Sequence, residues 1–145
     1  MATKKTVVDS PTKWVNNHIR EYVESDGKKG HTWRGYPTLL LTTKGRKSGL
    51  MRRTALIYGK DGENYLIVAS YGGAKEHPLW YLNLEANPEV QVQVGADKFE
   101  ATARTADKKE RTRLWKIMTE VYPTYDEYQK KTTREIPVII LEPKN

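Results

Sequence analysis

Three short, β-rich segments follow one another between Thr38 and Ser70 with little chain between them, and no other feature constrains the fold as tightly. They are Thr38-Leu-Leu-Leu-Thr-Thr43, Leu50 to Tyr58, and Tyr65-Leu-Ile-Val-Ala-Ser70. Only the turn Lys44-Gly-Arg-Lys-Ser-Gly49 and the hairpin signal Lys60-Asp-Gly-Glu-Asn64 separate them. Further on, Val90, Val92 and Val94 alternate with Gln91 and Gln93, the period of a half-buried strand, and Gly95-Ala-Asp97 turns at once into Lys98-Phe-Glu-Ala-Thr-Ala-Arg104. A parallel crossover takes about a dozen residues or more, so these neighbours pair antiparallel. A sixth segment, Ile136-Pro-Val-Ile-Ile-Leu141, completes the set, and its proline predicts an edge position.

Helical periodicity fills most of the remaining chain. Ser10-Pro11 reads as a helix start, with an oxygen to cap free amides and proline at the first helical position. Trp14, Val15, His18, Ile19, Tyr22 and Val23 then form an apolar stripe expected in the core, interleaved with Lys13, Asn17, Arg20 and Glu24. Such a basic amphipathic helix is also compatible with resting on an anionic membrane. Ser25-Asp-Gly-Lys-Lys-Gly30 ends it. Pro78 to Asn87 reads as a short helix with Leu79, Trp80, Leu82 and Asn83 inward. Thr105 is a candidate cap for a helix from Asp107 to Val121, with Leu114, Trp115, Ile117, Met118 and Val121 on one face. Pro123 closes that helix, and Tyr125 to Lys130 adds one or two turns. The order α-β-β-β-α-β-β-α-β belongs to the α+β class and suits a small closed or split barrel. Residues 1–30 are read as an N-terminal amphipathic helix and linker, and residues 31–145 as the barrel domain.

Composition limits the chemistry. A chain of 145 residues suits one domain. Without cysteine there is no disulfide, thiolate nucleophile or thiolate-bound metal. No apolar run approaches the roughly 20 residues of a membrane span, and the first residues lack the apolar stretch of a secretory signal, so a cytoplasmic location is expected. His18, His31 and His77 have no metal-ligand spacing, so no metal is expected. Neither a Gly-x-Ser-x-Gly elbow, a phosphate-binding P-loop nor a Gly-x-Gly-x-x-Gly run occurs. The net charge of +7 points to an anionic partner, or merely to solubility.

Placement of the charge is more informative. Lys44, Arg46, Lys47, Arg52 and Arg53 cluster around Gly45, Ser48 and Gly49, and glycines let backbone amides approach a ligand while Arg46, Lys47 and Ser48 offer donors for phosphate or carboxylate. A solvated hairpin turn would look similar. Arg52 and Arg53 point to opposite faces of their strand, so one of them faces the same anion. Ser70-Tyr-Gly-Gly73, at a strand end, permits a flat ring to lie against the backbone, as would a plain tight turn. Tyr122, Tyr125 and Tyr128 fall at i, i+3 and i+6, suited to hydrogen-bond donation to an oxyanion or equally to core packing.

Taken in order, five stretches resemble the deazaflavin-dependent nitroreductase family, split-barrel oxidoreductases that use coenzyme F420. They are Leu39-Leu-Leu-Thr-Thr-Lys-Gly-Arg-Lys-Ser-Gly49, Val68-Ala-Ser-Tyr-Gly-Gly73, His77-Pro-Leu-Trp-Tyr-Leu-Asn-Leu-Glu-Ala-Asn-Pro88, Tyr122-Pro-Thr-Tyr-Asp-Glu-Tyr128 and Arg134-Glu-Ile-Pro137. The resemblance implies a mainly antiparallel six-stranded split β-barrel with flanking helices, of the FMN-binding split-barrel kind. It implies a groove for the phosphate and oligoglutamate tail of F420, an 8-hydroxy-5-deazaflavin, built from Arg46, Lys47, Ser48, Gly49 and Arg52. The ring would lie beside Val68, Ala69 and Ser70 and the strand residues Thr54 and Ala55, with Gly73, Trp80 and Asn83 shaping the site. Tyr122, Tyr125 and Tyr128 match the family's substrate-side tyrosines. Two positions depart from the pattern: Thr54-Ala55-Leu56 replaces a frequent Asn-Pro-Leu, and Ile57 and Tyr71 stand where some nitroreductases carry tyrosine and lysine.

The expected reaction is hydride transfer from the reduced deazaflavin to an electron-poor enone, quinone or nitroaromatic. Ser70 or a tyrosine would stabilise the developing negative charge, and a tyrosine or water would deliver the proton. Rival readings are an FMN-dependent reductase or oxidase on the same barrel, a coenzyme carrier without catalysis, and a basic nucleic-acid-binding module. The last predicts aromatics among the basic residues, and Lys44 to Arg53 contains none, so no nucleic-acid partner is expected.

Overall fold

The computed structural model describes residues 7–9 and 13–144, and the helix start proposed at Ser10-Pro11 lies outside them. The elements, in chain order, are β1 (Val7–Asp9), α1 (Lys13–Glu24), β2 (Thr32–Trp33), β3 (Tyr36–Lys44), β4 (Met51–Ile57), β5 (Gly59–Asp61), β6 (Asn64–Val68), a 3-10 turn (Tyr71–Gly73), α2 (Leu79–Ala86), β7 (Glu89–Val94), β8 (Asp97–Thr105), α3 (Lys108–Val121), α4 (Thr124–Lys130) and β9 (Val138–Pro143). All six expected strands are present, joined by the short β1, β2 and β5. The sheet order is β1-β4-β3-β7-β8-β9-β6-β5, with β2 paired to β3. Only the β1–β4 pairing is parallel among the described strands.

Along β3, β6 and β9 the sheet is buried on both faces, which is why these strands read as apolar runs, whereas β7 and β8 alternate buried with exposed residues. On β3, Leu39 and Leu41 face a core shared with Ile67, Val92, Ala101, Ile139 and Leu141, while Leu40 faces Ile19 and Tyr22 of α1. On β6 and β9, Leu66, Val68, Val138 and Ile140 point the other way, against Leu114 and Met118 of α3 and Tyr125 of α4. These three strands thus divide their side chains between a barrel interior and a helix-covered exterior. Although β4 and β6 stand far apart in the sheet order, they come into contact. The sheet therefore curls into a split barrel, as expected.

Tyr22 fastens α1 to this frame. It is fully buried, and its hydroxyl accepts from the Gly95 amide at 2.6 Å and donates to the Thr38 carbonyl at 3.1 Å. A buried phenol is stable only with such partners.

Four local expectations are corrected. Strand β9 is central, between β8 and β6, rather than at an edge. Pro137 precedes the strand, where its missing N–H is not needed, and its carbonyl still accepts from the Ala69 amide at 3.0 Å. Thr105 does not cap α3: it stays in β8, paired with Ile139, and its hydroxyl meets that of Tyr81 at 3.0 Å. Asp107 is the cap, in a capping box with Glu110. On α2 the buried residues are Tyr81, Asn83 and Leu84, and Leu79 is 71% exposed because it lies in the first turn on the solvent side. Trp14, expected in the core, is 59% exposed and stacks on Trp33 at 5.9 Å.

Candidate active site

Where β4 and β6 approach, a cavity of about 330 Å³ opens on the helix-covered side of the barrel. Ala55, Leu56 and Ile57 of β4 form one wall, and Val68, Ser70, Tyr71 and Gly72 form another. Pro78, Trp80, Tyr122, Tyr125 and Tyr128 complete the lining together with Trp14, His18 and Trp33. Of the residues singled out in the sequence, the cavity gathers Ala55, Val68, Ser70, Trp80 and the three tyrosines. It leaves out Thr54, Ala69 and Gly73: Ala69 is fully buried in the barrel interior, Thr54 alternates with Ala55 along β4, and Gly73 packs behind the turn.

The three tyrosines meet although their helix is broken. Tyr122 ends α3 in an extended conformation, and Tyr125 and Tyr128 lie on α4. Their rings stand 4.9 Å (Tyr122–Tyr125) and 6.3 Å (the other two pairs) apart, and the hydroxyls of Tyr122 and Tyr128 are 3.4 Å apart. Tyr36 and Trp33 pack edge-on against Tyr122. The hydrogen bond that the Tyr128 hydroxyl shares with Tyr122, with burial, pushes the Tyr128 phenol up to about 12. Burial pushes Tyr125 up as well, as its 5% exposure requires. Tyr125 and Tyr128 are therefore neutral phenols across the physiological range rather than bases.

Tyr22, Tyr58 and Tyr81 are raised too, chiefly by burial. A folded-state value above the unfolded one means that the folded chain holds more protons over that interval. The stabilisation is whole below the ordinary phenol value of 10.0 and is lost as pH rises through the folded values. Melting temperature should therefore fall steeply between about pH 10 and pH 12. A flat thermal-unfolding profile over that interval would contradict it.

The basic turn is bonded to α2, the helix that brings Trp80 to the cavity. Its backbone is closed by Gly45 N–H to Leu50 O at 2.7 Å and Gly49 N–H to Gly45 O at 2.9 Å, and Ser48 Oγ accepts from the Leu50 amide at 3.2 Å. A Cβ on Gly45 would stand 2.7 Å from Ser48 Oγ and 3.6 Å from Arg52 Nε, so both side chains converge on that glycine. Arg46, Lys47 and Arg52 are exposed, whereas Arg53 is committed to Asp9 of β1 at 2.7 Å. The opposite-face expectation for the two arginines is thus met, with Arg52 on the loop side. Asn83, buried on α2, accepts from the Arg46 amide at 3.1 Å and donates to Thr43 Oγ1 at 3.4 Å, so it holds the turn from behind.

The site thus offers two distinct surfaces, an exposed cationic turn and a cavity lined chiefly by apolar and aromatic side chains. The sequence missed Trp33, Thr38 and Pro78 at the cavity, because nothing local marks a residue that only tertiary folding brings there. Trp33 alone carried a hint, since Arg34-Gly35 after it has positive φ at both residues, a hairpin turn that folds Trp33 back onto Tyr36.

Comparison with known proteins identifies the family. A family model described as F420H(2)-dependent quinone reductase matches residues 14–143. An F420H(2)-dependent quinone reductase of Mycobacterium tuberculosis (strain ATCC 25618 / H37Rv) is 39% identical over 143 residues, covering 90% of this chain and 96% of that protein. Among solved structures, an F420-H2 dependent reductase, FDR-A, superposes with a TM-score of 0.69 at 47% identity, over 73% of this chain and 94% of its own. A domain-swapped dimer matches at TM-score 0.71 and 43% identity, over 92% of this chain and 100% of its own. The chain belongs to the F420H(2)-dependent quinone reductase family, split-barrel oxidoreductases that pass hydride from a reduced deazaflavin to a quinone-type acceptor.

Proposed function

We propose that the turn from Gly45 to Arg52 holds the phosphate and oligoglutamate tail of F420, and that its ring enters the cavity beside Val68, Ser70 and Gly72. The observation carrying this reading is that the turn with three exposed cations, Arg46, Lys47 and Arg52, is hydrogen-bonded through Asn83 to α2, the helix whose Trp80 lines that cavity. When bound, reduced F420 supplies a hydride. The chain's task is to hold an acceptor against the ring in attack geometry. Apolar walls from Ile57, Trp80 and Trp33 exclude water and suit a flat quinone.

Tyr122 and Tyr128 donate hydrogen bonds to the acceptor oxygen as it gains negative charge, and Ser70 Oγ is a further donor lining the same cavity. With Tyr128 pushed up to about 12, its phenol stabilises the oxyanion without surrendering its proton, which water then supplies. Tyr125, 5% exposed, supports the other two rings by packing. Phenylalanine at Tyr128 should lower turnover with a quinone about 100-fold and leave F420 affinity within twofold. Phenylalanine at Tyr125 should cost less than threefold. Stopped-flow oxidation of reduced F420 against quinones, enones and nitroaromatics tests both variants, and equal rates for wild type and Tyr128→Phe would exclude the donor role.

The exposed Trp14 and Tyr71 at the cavity offer a lipophilic acceptor an apolar approach. Lys13 and Arg20, exposed on α1, support contact with an anionic membrane surface during that approach. No helix among the described residues is long and apolar enough to cross a membrane.

A further inference from the structure

Arg134 stands in one of the five matched stretches, yet no catalytic or binding role has been attached to it so far. Its side chain reaches from the loop before β9 to the far side of the cavity. There Nε donates to the Ala74 carbonyl at 2.8 Å, Nη2 to the Ser70 carbonyl at 2.8 Å, and Nη1 to the Ala69 carbonyl at 3.2 Å. Nη1 also meets His77 Nδ1 at 3.2 Å, which makes that nitrogen the acceptor. One guanidinium therefore gathers three carbonyls from the segment that ends β6. Two of them belong to consecutive residues, Ala69 and Ser70, so the alternation of an extended strand stops there.

The segment so held is strained. Tyr71 has φ +47°, an uncommon conformation for a residue with a bulky side chain, and Gly72 and Gly73 follow at +63° and +82°. The two glycines adopt the left-handed region freely, but Tyr71 does not and needs outside restraint. Arg134 supplies it on one side and α4 on the other, since Gly73 lies directly against the Tyr128 backbone. The backbone of Arg134 is itself tied to α4: its carbonyl accepts from Gln129 Nε2 at 2.8 Å, and Gln129 Oε1 accepts from the Ile136 amide at 3.0 Å. The cavity wall formed by Ser70, Tyr71 and Gly72 is thus fixed relative to the helix bearing Tyr125 and Tyr128.

We propose that Arg134 is a positioning residue that holds the Ser70–Ala74 turn in the shape that receives the deazaflavin ring, and so sets the gap between ring and tyrosines. The proposal rests on the reading that F420 occupies this cavity. A lysine cannot replace the fork, because it presents one point of donors where three carbonyls lie in fixed directions. Arg111 offers the control: its guanidinium is also partly buried and donates to the Ile136 carbonyl and, at 3.0 Å, to Gln129 Oε1, so it shares the anchorage to α4 but touches nothing in the turn.

The test compares Arg134→Lys, Arg134→Gln and Arg111→Lys with wild type, binding two probes, F420 and the tail-less 8-hydroxy-5-deazaflavin nucleoside. Both Arg134 variants should lose at least about tenfold in affinity for the tail-less probe. Arg111→Lys should melt at a lower temperature with affinity within twofold. In the free protein, exchange of the Gly73 and Ala74 amides, bonded to the Ser70 and Tyr71 carbonyls, should quicken at least about tenfold in Arg134→Lys and not in Arg111→Lys. Wild-type affinity in a folded Arg134→Lys overturns the proposal. So does parallel loss of affinity in the Arg111 and Arg134 variants, which would make Arg134 merely structural. Failure of wild type to bind either probe would overturn the F420 reading itself, and with it the proposal.

Discussion

Alanine at both Arg46 and Lys47 is expected to weaken F420 binding by about 100-fold or more, and to leave the tail-less deazaflavin nucleoside bound as in wild type. Both side chains are exposed, so neither contributes packing that the substitution would remove. The turn keeps its shape through backbone bonds of Gly45 and Gly49 and through Asn83 on the Arg46 amide, none of which needs the two cationic heads. Each charge-assisted hydrogen bond to phosphate or carboxylate contributes about 1.5–3 kcal/mol, and two such losses carry the expected factor. Wild-type affinity should also fall with added salt, and that slope should flatten in the double variant, because the interaction is made at the surface. Isothermal titration at two salt concentrations reads both effects. Undiminished F420 affinity in the double variant would remove the tail from this turn.

Gly73→Ala should produce the other large effect, through geometry rather than charge. The added Cβ would stand 2.7 Å from the Tyr128 carbonyl oxygen, 3.1 Å from Lys131 Cβ and 3.2 Å from Tyr128 Cα, at φ +82°. Two of those neighbours are backbone, so α4 or the turn must move. Strain of this kind costs at least about 2 kcal/mol of stability. A displacement on the order of 1 Å between a ring site and its donors costs about 100-fold in the chemical step. The variant should therefore unfold at lower denaturant concentration and transfer hydride far more slowly, with F420 affinity reduced less than the rate. A variant with wild-type single-turnover rate would show that the spacing between turn and helix does not govern transfer.

How legible the molecule is in its sequence differs from residue to residue. Strands β3, β4, β6, β7 and β8 were readable because alternation, β-branched residues and tight turns act over a few positions. The Lys60–Asn64 turn is a case: Gly62 and Glu63 form a two-residue connection, with Asp61 paired to Asn64. The position of β9 was not readable, because proline at a strand's start and proline within an edge strand look alike until partners are known. Thr105 and Asp107 both suit a helix cap, and the choice fell to Asp107 because the β8–β9 ladder keeps Thr105 extended. Trp14 fits an apolar helical stripe, yet the surface it faces is the cavity rather than the core.

The candidate site divides in the same way. The chain alone established a cationic, glycine-bounded turn, a small-residue strand end and three spaced phenols, since each is a contiguous chemical pattern. Their order along the chain carried the family resemblance. Only the tertiary structure decided that Arg53 is consumed by Asp9, that Asn83 holds the turn from behind, and that Arg134 fastens a strand end 60 or more residues earlier. Contacts across such separations depend on how the barrel curls, and curling is a property of all the strands together. Local chemistry is written in neighbouring residues; the distance between two pieces of it is set by the packed sheet.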